Sequence, residues 1–224
     1  MTDITLNISL LKSKIPSSVK LIAVSKMKPV SDIQLAYNTG HRYFGENRVQ
    51  EILNKKDLLP ADIKWHFIGH LQSNKAKYLV PFISMIQSID SYKLLSAVNS
   101  EAAKEGRIID CLLEIHIASE ETKSGFSMHD LNDALKSDNI LKLKNVNICG
   151  VMGMATFTSD TDRVRKEFRY LGDCFHSLKE NYFRSDPAFR EISMGMSGDY
   201  GLALEEGSTM VRIGSLIFGD RKVH

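Results

Sequence analysis

Cysteine is scarce in this chain. It occurs at 111, 149 and 174, too few and too scattered for a disulfide framework or for the paired spacing of a zinc motif. The expectation is reduced core thiols in a cytoplasmic protein. No apolar run approaches the roughly 18 residues of a membrane span. The opening "MTDITLNISLLKSK" carries an early acid and no apolar leader stretch, so it does not read as a secretory signal. Charge of one sign is missing as well: 29 Lys and Arg stand against 27 Asp and Glu, a net charge of +2, mixed along the chain. With no basic stripe or block, neither nucleic acid nor a membrane is the expected partner. Linkers, repeats and low-complexity stretches are absent too, and residues 1–224 are expected to form a single domain.

What is present is enough apolar sequence for a sizeable core, 43% of the residues, laid out in a regular alternation. Eight short β-prone runs are "LIAVS", "RYFGE", "WHFIG", "MIQSID", "DCLLEIHI", "NICGVMGM", "REISMG" and "MVRIG". Between them lie helical patterns. Ser31 and Gln34 have capping-box spacing ahead of a helix that closes at Gly40. Val49, Ile52 and Leu53 share one helical face, and Ser73 can cap a short helix. Leu94, Leu95, Val98 and Ala102 make another stripe, and Ser127 with Asp130 repeats the capping spacing. Val164, Phe168, Leu171, Phe175 and Leu178 form the longest stripe, near 160 to 183. Ile4, Ile8 and Leu11 suit an extra N-terminal helix. Eight strands alternating with helices, several apolar on both faces, predict a parallel sheet closed into a (β/α)8 barrel. An open doubly wound sheet is the alternative, and no nucleotide-type glycine-rich turn supports it.

In such a barrel the chemistry lies at the carboxyl ends of the strands. Lys26 ends strand 1, and strand 8 closes against it. The loop after strand 7, "SMGMSGDYG", runs through Gly195, Ser197 and Gly198 into a short helix, a composition that cradles an anion. In "RIGS", Gly214 allows close approach and Ser215 offers its amide. A buried strand-end amine beside a phosphate pocket suits a Schiff-base nucleophile. Its carbonyl partner is either the aldehyde of pyridoxal phosphate or, for an aldolase-type lysine, a sugar phosphate. Otherwise Lys26 pairs with Glu46 or snorkels to solvent. Arg212 points to the same side as Gly214 and needs a partner, either a pyridine nitrogen or an acid such as Glu114. His66 and His70 do not share a metal-ligating face. Lys123 in "ETKSGF" reads as a loop lysine with a minor option of anion contact. The methionines at 152, 154, 194 and 196 read as barrel packing.

The blocks "AVSKMKP", "FGENRVQE", "WHFIGHLQSNK", "TKSGF" and "SMGMSGDYGLALEEGSTMVRIGSLIFG" resemble, in order, the pyridoxal phosphate homeostasis proteins. The likeness runs from about residue 20 onward. It implies the barrel of the alanine racemase N-terminal domain and pyridoxal phosphate held covalently, with Lys26 as the internal aldimine lysine. By matching position, Ser197, Gly214 and Ser215 would hold the phosphate and Arg212 would face the ring nitrogen. Asn47 and His66 would lie near the ring. The family pattern has Asn in its strand 5 motif where this chain has His116, and the strand 6 end "GVMGMAT" also departs from it.

The resemblance further implies a role in cofactor supply without a dedicated reaction. Pyridoxal phosphate-dependent apoenzymes would be the partner class, and a monomer or weak dimer the assembly. A weak amino-acid racemase is the alternative, with Tyr43 or Tyr200 as candidate bases. An always-protonated Arg212 at the ring nitrogen would work against carbanion build-up.

Overall fold

Short aliphatic runs that end in glycine or polar residues form eight strands among the described residues, which in this computed structural model are 3–118, 125–137 and 139–220. They are β1 (Lys20–Val24), β2 (Tyr43–Glu46), β3 (Lys64–Phe67), β4 (Met85–Ile89), β5 (Ile109–Glu114), β6 (Val146–Met152), β7 (Glu191–Ser193) and β8 (Met210–Ile213). All pair in parallel in chain order, and β8 returns to β1 with Ile22 opposite Arg212. The expected (β/α)8 barrel is the observed fold. Closure matters for function because it removes both sheet edges. It also brings the residues after β7 and β8 beside the end of β1.

Side chains alternate across each strand, and two apolar groups result. Ile22, Met85, Leu112, Cys149, Met152 and Met210 meet inside the barrel. The larger core lies between the strands and the surrounding helices. The helices are α1 (Ile4–Lys14), α2 (Val30–Asn38), α3 (Val49–Lys56), α4 (Ala76–Leu79), α5 (Tyr92–Lys104), α6 (Met128–Lys136), α7 (Thr161–Asn181), α8 (Tyr200–Glu205) and α9 (Ser215–Phe218). The apolar stripes expected for α1, α5 and α7 are the residues those helices bury. On α1, Ile4, Ile8 and Leu11 each contribute about 1.5–3 kcal/mol by leaving water. Asp3 caps that helix through the Leu6 amide at 2.9 Å.

Two capping expectations need correction. Helix α2 begins at Val30, with Pro29 at its N-cap and no side-chain cap. The ring of Pro29 presets φ at −69°, and its carbonyl accepts from Asp32 and Ile33, so the helix starts ahead of Ser31. Ser73 does not cap a helix either. It opens a 3-10 turn over Ser73–Lys75 that leads into α4. The Ser127 cap of α6 forms as expected, accepting from the Asp130 amide at 3.1 Å.

Burial also sets a pH response. His41 is enclosed against Phe44, and its Nε2–H donates to the Tyr43 carbonyl at 2.8 Å. Desolvation pushes its pKa down to about 4. The folded protein holds this imidazole neutral while the unfolded chain protonates it below about pH 6.5. Its contribution is therefore complete above that pH and is lost as pH falls toward 4, by about 1.4 kcal/mol per pH unit. His41→Gln keeps the N–H donor and cannot titrate. Between pH 7 and 5, the urea unfolding free energy of the unaltered protein should drop about 2 kcal/mol more than that of the variant. Equal drops would show that His41 protonates alike in both states.

Candidate functional site

At the carboxyl ends of the strands lies a cavity of about 510 Å³ whose lining includes Lys26, Asn47, Ser197, Arg212, Gly214 and Ser215. The parallel, closed sheet brings these six together from the ends of β1, β2, β7 and β8. His66 is not among them. It sits one layer deeper, 3% exposed, inside the barrel.

Lys26 stands two residues beyond the end of β1, between a buried Ser25 and an exposed Met27. Met27 has φ of 60°, the left-handed region, which costs a side chain roughly 1–2 kcal/mol. The turn is fastened on both sides. The Ser25 amide donates to Gly45 O at 3.0 Å. Lys28 Nζ donates to the carbonyls of Phe218 and Gly219 at 2.9 and 3.0 Å, a cation on the carboxyl end of α9. Glu46, the pairing alternative for Lys26, is engaged elsewhere: it accepts from Ser25 Oγ at 2.6 Å and from Lys55 Nζ at 2.8 Å.

The two turns expected to grip an anion are joined to one another. The Gly214 amide donates to Ser197 Oγ at 3.3 Å. Asp199 accepts from the Met196 amide at 2.5 Å, which curls residues 196–199 toward the cavity ahead of α8. Burial pushes the Asp199 carboxyl up, while the Met196 bond and the Arg212 charge pull it back. A Cβ on Gly214 would stand 3.2 Å from the Val24 carbonyl, so a bare backbone suits the close passage of β8 beside β1. Ser215 opens α9, a helix too short to be legible beforehand.

Arg212 is 4% exposed and aims its guanidinium into the barrel mouth. One terminal nitrogen donates to Ser193 Oγ at 2.6 Å and the other to the Gly153 carbonyl at 2.9 Å. Ser193 in turn donates to Gln87 Oε1 at 2.7 Å. The Gln87 amide reaches His66 Nδ1 at 2.8 Å. The Gln87 amide donates to this nitrogen when His66 carries its proton on Nε2. Burial holds His66 neutral, its pKa pushed down to about 3. It lowers Arg212 to about 10, against the opposing pull of Glu114 and Asp199, which leaves a cation at neutral pH. His66 therefore connects to the cavity through Gln87 and Ser193.

Asn47 Oδ1 is buried without a hydrogen-bond partner among the described residues. An orphaned acceptor of this kind costs about 1–3 kcal/mol and suits a ligand that brings a hydroxyl or an amine. Lys26, Lys28 and Arg212 outnumber the carboxyl of Asp199 in the lining, a balance that favours an anionic guest. The candidate tyrosine bases lie elsewhere. Tyr43 is at the opposite, amino end of β2. Tyr200 packs against the main core from the start of α8. Among the described residues no group of His, Cys, Asp or Glu could hold a metal. His70 instead pairs with Asp90 at 3.0 Å. No described helix is long and apolar enough to cross a membrane. Lys123 lies outside the described residues.

The alanine racemase N-terminal domain family matches residues 1–222. A pyridoxal phosphate homeostasis protein of Aquifex aeolicus (strain VF5) is 40% identical over 204 residues, which is 91% of this chain and 87% of that one. The chain belongs to the pyridoxal phosphate homeostasis protein family. Its counterpart in Escherichia coli (strain K12) is 34% identical over 235 residues, 99% of this chain and 98% of the relative. Among solved structures, PipY of Synechococcus elongatus PCC7942 with pyridoxal phosphate bound superposes with a TM-score of 0.86 at 36% identity. The match covers 96% of this chain and all of that one. Alanine racemase of Clostridium difficile 630 shares the fold, with a TM-score of 0.76 at 13% identity over 99% of this chain and 56% of that one.

Sequence reasoning missed several residues of this family member's site. Ser193 holds Arg212 and Gln87 braces Ser193, and neither stood out from the other polar residue of its strand. Lys28 belonged to no pattern that marked it. Phe157, 96% exposed on the rim of the cavity, carried no pattern at all.

Proposed function

We propose that this protein binds pyridoxal 5'-phosphate in the barrel mouth, bonded covalently to Lys26, and keeps it for the cell's cofactor supply without a dedicated reaction of its own. The observation that carries this reading is one cavity lined both by the Lys26 amine and by the joined turns of Ser197 and Gly214. The residues fit the group. Ser197 with the Gly214–Ser215 turn would hold the phosphate. Arg212 would face the ring nitrogen, and the unpartnered Asn47 oxygen would meet a polar hydrogen of the ring substituents. Lys26 would supply the amine that condenses with the aldehyde, with loss of one water. When bound, the cofactor supplies an electron-withdrawing ring, and Arg212 limits that property because a donor at the ring nitrogen leaves it unprotonated.

A racemase needs a proton donor or acceptor on each face of its substrate. Tyr43 at the opposite rim and Tyr200, packed against the core and outside the cavity lining, do not supply a second one, which supports the reading of a holder over that of an enzyme. The acceptors of a released cofactor would be pyridoxal phosphate-dependent apoenzymes.

Titration of the protein with pyridoxal phosphate, and separately with pyridoxal, tests this. A visible absorbance band should saturate at one equivalent with the phosphorylated compound. Pyridoxal should bind at least about a hundredfold more weakly, a difference of roughly 2.7 kcal/mol. No band, or equal affinities, would overturn the reading.

A further inference from the structure

Beside the Lys26 turn, and outside the lining of the cavity, lies a buried charged cluster. Lys55, on α3, is 7% exposed. Its ammonium meets three acceptors: the Ser25 carbonyl at 3.0 Å, Glu46 Oε1 at 2.8 Å and Glu51 Oε1 at 2.6 Å. Each acceptor is tied to the turn. Glu46 also takes the Ser25 hydroxyl, and Glu51 accepts the Met27 amide. The residues on both sides of Lys26 are therefore fixed by one ammonium and its two carboxylates. Burying the Lys55 and Glu46 charges is costly, and an apolar pair of equal volume would often be at least as stable. Glu46 Oε2 is left without a partner among the described residues, and burial pushes that carboxyl's pKa up. An arrangement of this sort is poorly explained by stability. It is better explained by the backbone it holds: Met27 is in the left-handed region, and besides the turn's own bond from the Lys28 amide to the Ser25 carbonyl at 3.0 Å, the cluster binds that carbonyl and the Met27 amide.

We infer that Lys55, acting with Glu46 and Glu51, is a positioning residue that holds the 25–27 turn and so aims the Lys26 amine into the cavity. The inference deepens the proposed function and rests on its assignment of Lys26. Lys55 supports that amine from behind the strand and touches no ligand. With the turn fixed in advance, the amine reaches the aldehyde without an ordering step, which raises the rate of bond formation.

Two measurements on purified protein separate this inference from the reading it rests on. Hydrogen exchange of the peptide covering residues 21–30, without cofactor, reports the hold on the turn directly. Lys55→Met and Glu51→Ala should speed exchange at the Met27 amide at least tenfold, and Glu51→Gln, which keeps an acceptor oxygen, should restore most of the protection. Stopped-flow appearance of the visible band on mixing with pyridoxal phosphate should slow about tenfold in the first two variants and recover in Glu51→Gln. Glu51 is partly exposed, so its variants test the inference even where Lys55→Met fails to fold. Unchanged exchange or an unchanged rate in Glu51→Ala would overturn it. Faster exchange in the variants with no band in any protein, the unaltered one included, would uphold the hold on the turn and overturn the covalent reading instead.

Discussion

Lys26→Ala is expected to weaken retention of pyridoxal phosphate by at least about a hundredfold, roughly 2.7 kcal/mol, and to abolish the visible band. The estimate follows from what remains. The Ser197 and Gly214 turns, Arg212 and Asn47 all belong to other strand ends and keep their geometry, so the phosphate and ring contacts persist. The proposed covalent bond would be lost, and with it a slow exit that requires hydrolysis. Lys26 is half-buried at the rim of the cavity, and its truncation leaves the core intact. Thermal stability of the cofactor-free protein should accordingly change by less than about 0.5 kcal/mol. Equilibrium dialysis beside a thermal melt checks both statements. Retention equal to that of the unaltered protein would show that the cofactor is held without this amine.

Gly195→Ala should be the most damaging small substitution near the site. Gly195 has φ of +92°, and a Cβ there would lie 2.5 Å from the Cβ of Ala203 on α8. A non-glycine residue at such a φ costs about 1–3 kcal/mol, and pressing a methyl into a packed contact costs a similar amount. A loss of about 2–6 kcal/mol is expected. The clash pushes α8 off β7 and displaces the Ser197 hydroxyl that holds the Gly214 amide, so retention of the phosphorylated ligand should fall with stability. Gly198→Ala serves as the control, because a Cβ at Gly198 meets nothing within 4 Å. Urea unfolding should place that variant within about 0.5 kcal/mol of the unaltered protein. Similar losses for both would show that the turn is sensitive to any substitution and that the Gly195 contact has no special role.

The barrel was legible because its signal is repeated: eight runs of strand length, each followed by a helical stripe or cap, leave few topologies open. Lys26, Asn47, Ser197, Arg212, Gly214 and Ser215 could be placed because closure makes neighbours of strand ends that are distant in sequence. The depth of His66 was not legible. Period-2 alternation shows that a strand residue faces inward without showing which layer it occupies, and this one lies below the mouth. The same limit hid Gln87 and Ser193, whose polar side chains are ordinary until the neighbouring Arg212 is seen to need them. Lys55 was invisible for another reason. Composition places a lysine on the surface, and only the paired carboxylates of Glu46 and Glu51 make its burial tolerable. Helix α2 began before the Ser31 signal because a proline earlier in the chain had already set the backbone.

Borohydride reduction of the protein saturated with pyridoxal phosphate, followed by proteolysis and peptide mass mapping, tests the central assignment most directly. The expected result is a single modified peptide carrying the reduced adduct on Lys26, at close to one equivalent. Modification spread over surface lysines, or concentrated on a lysine other than 26, would contradict it.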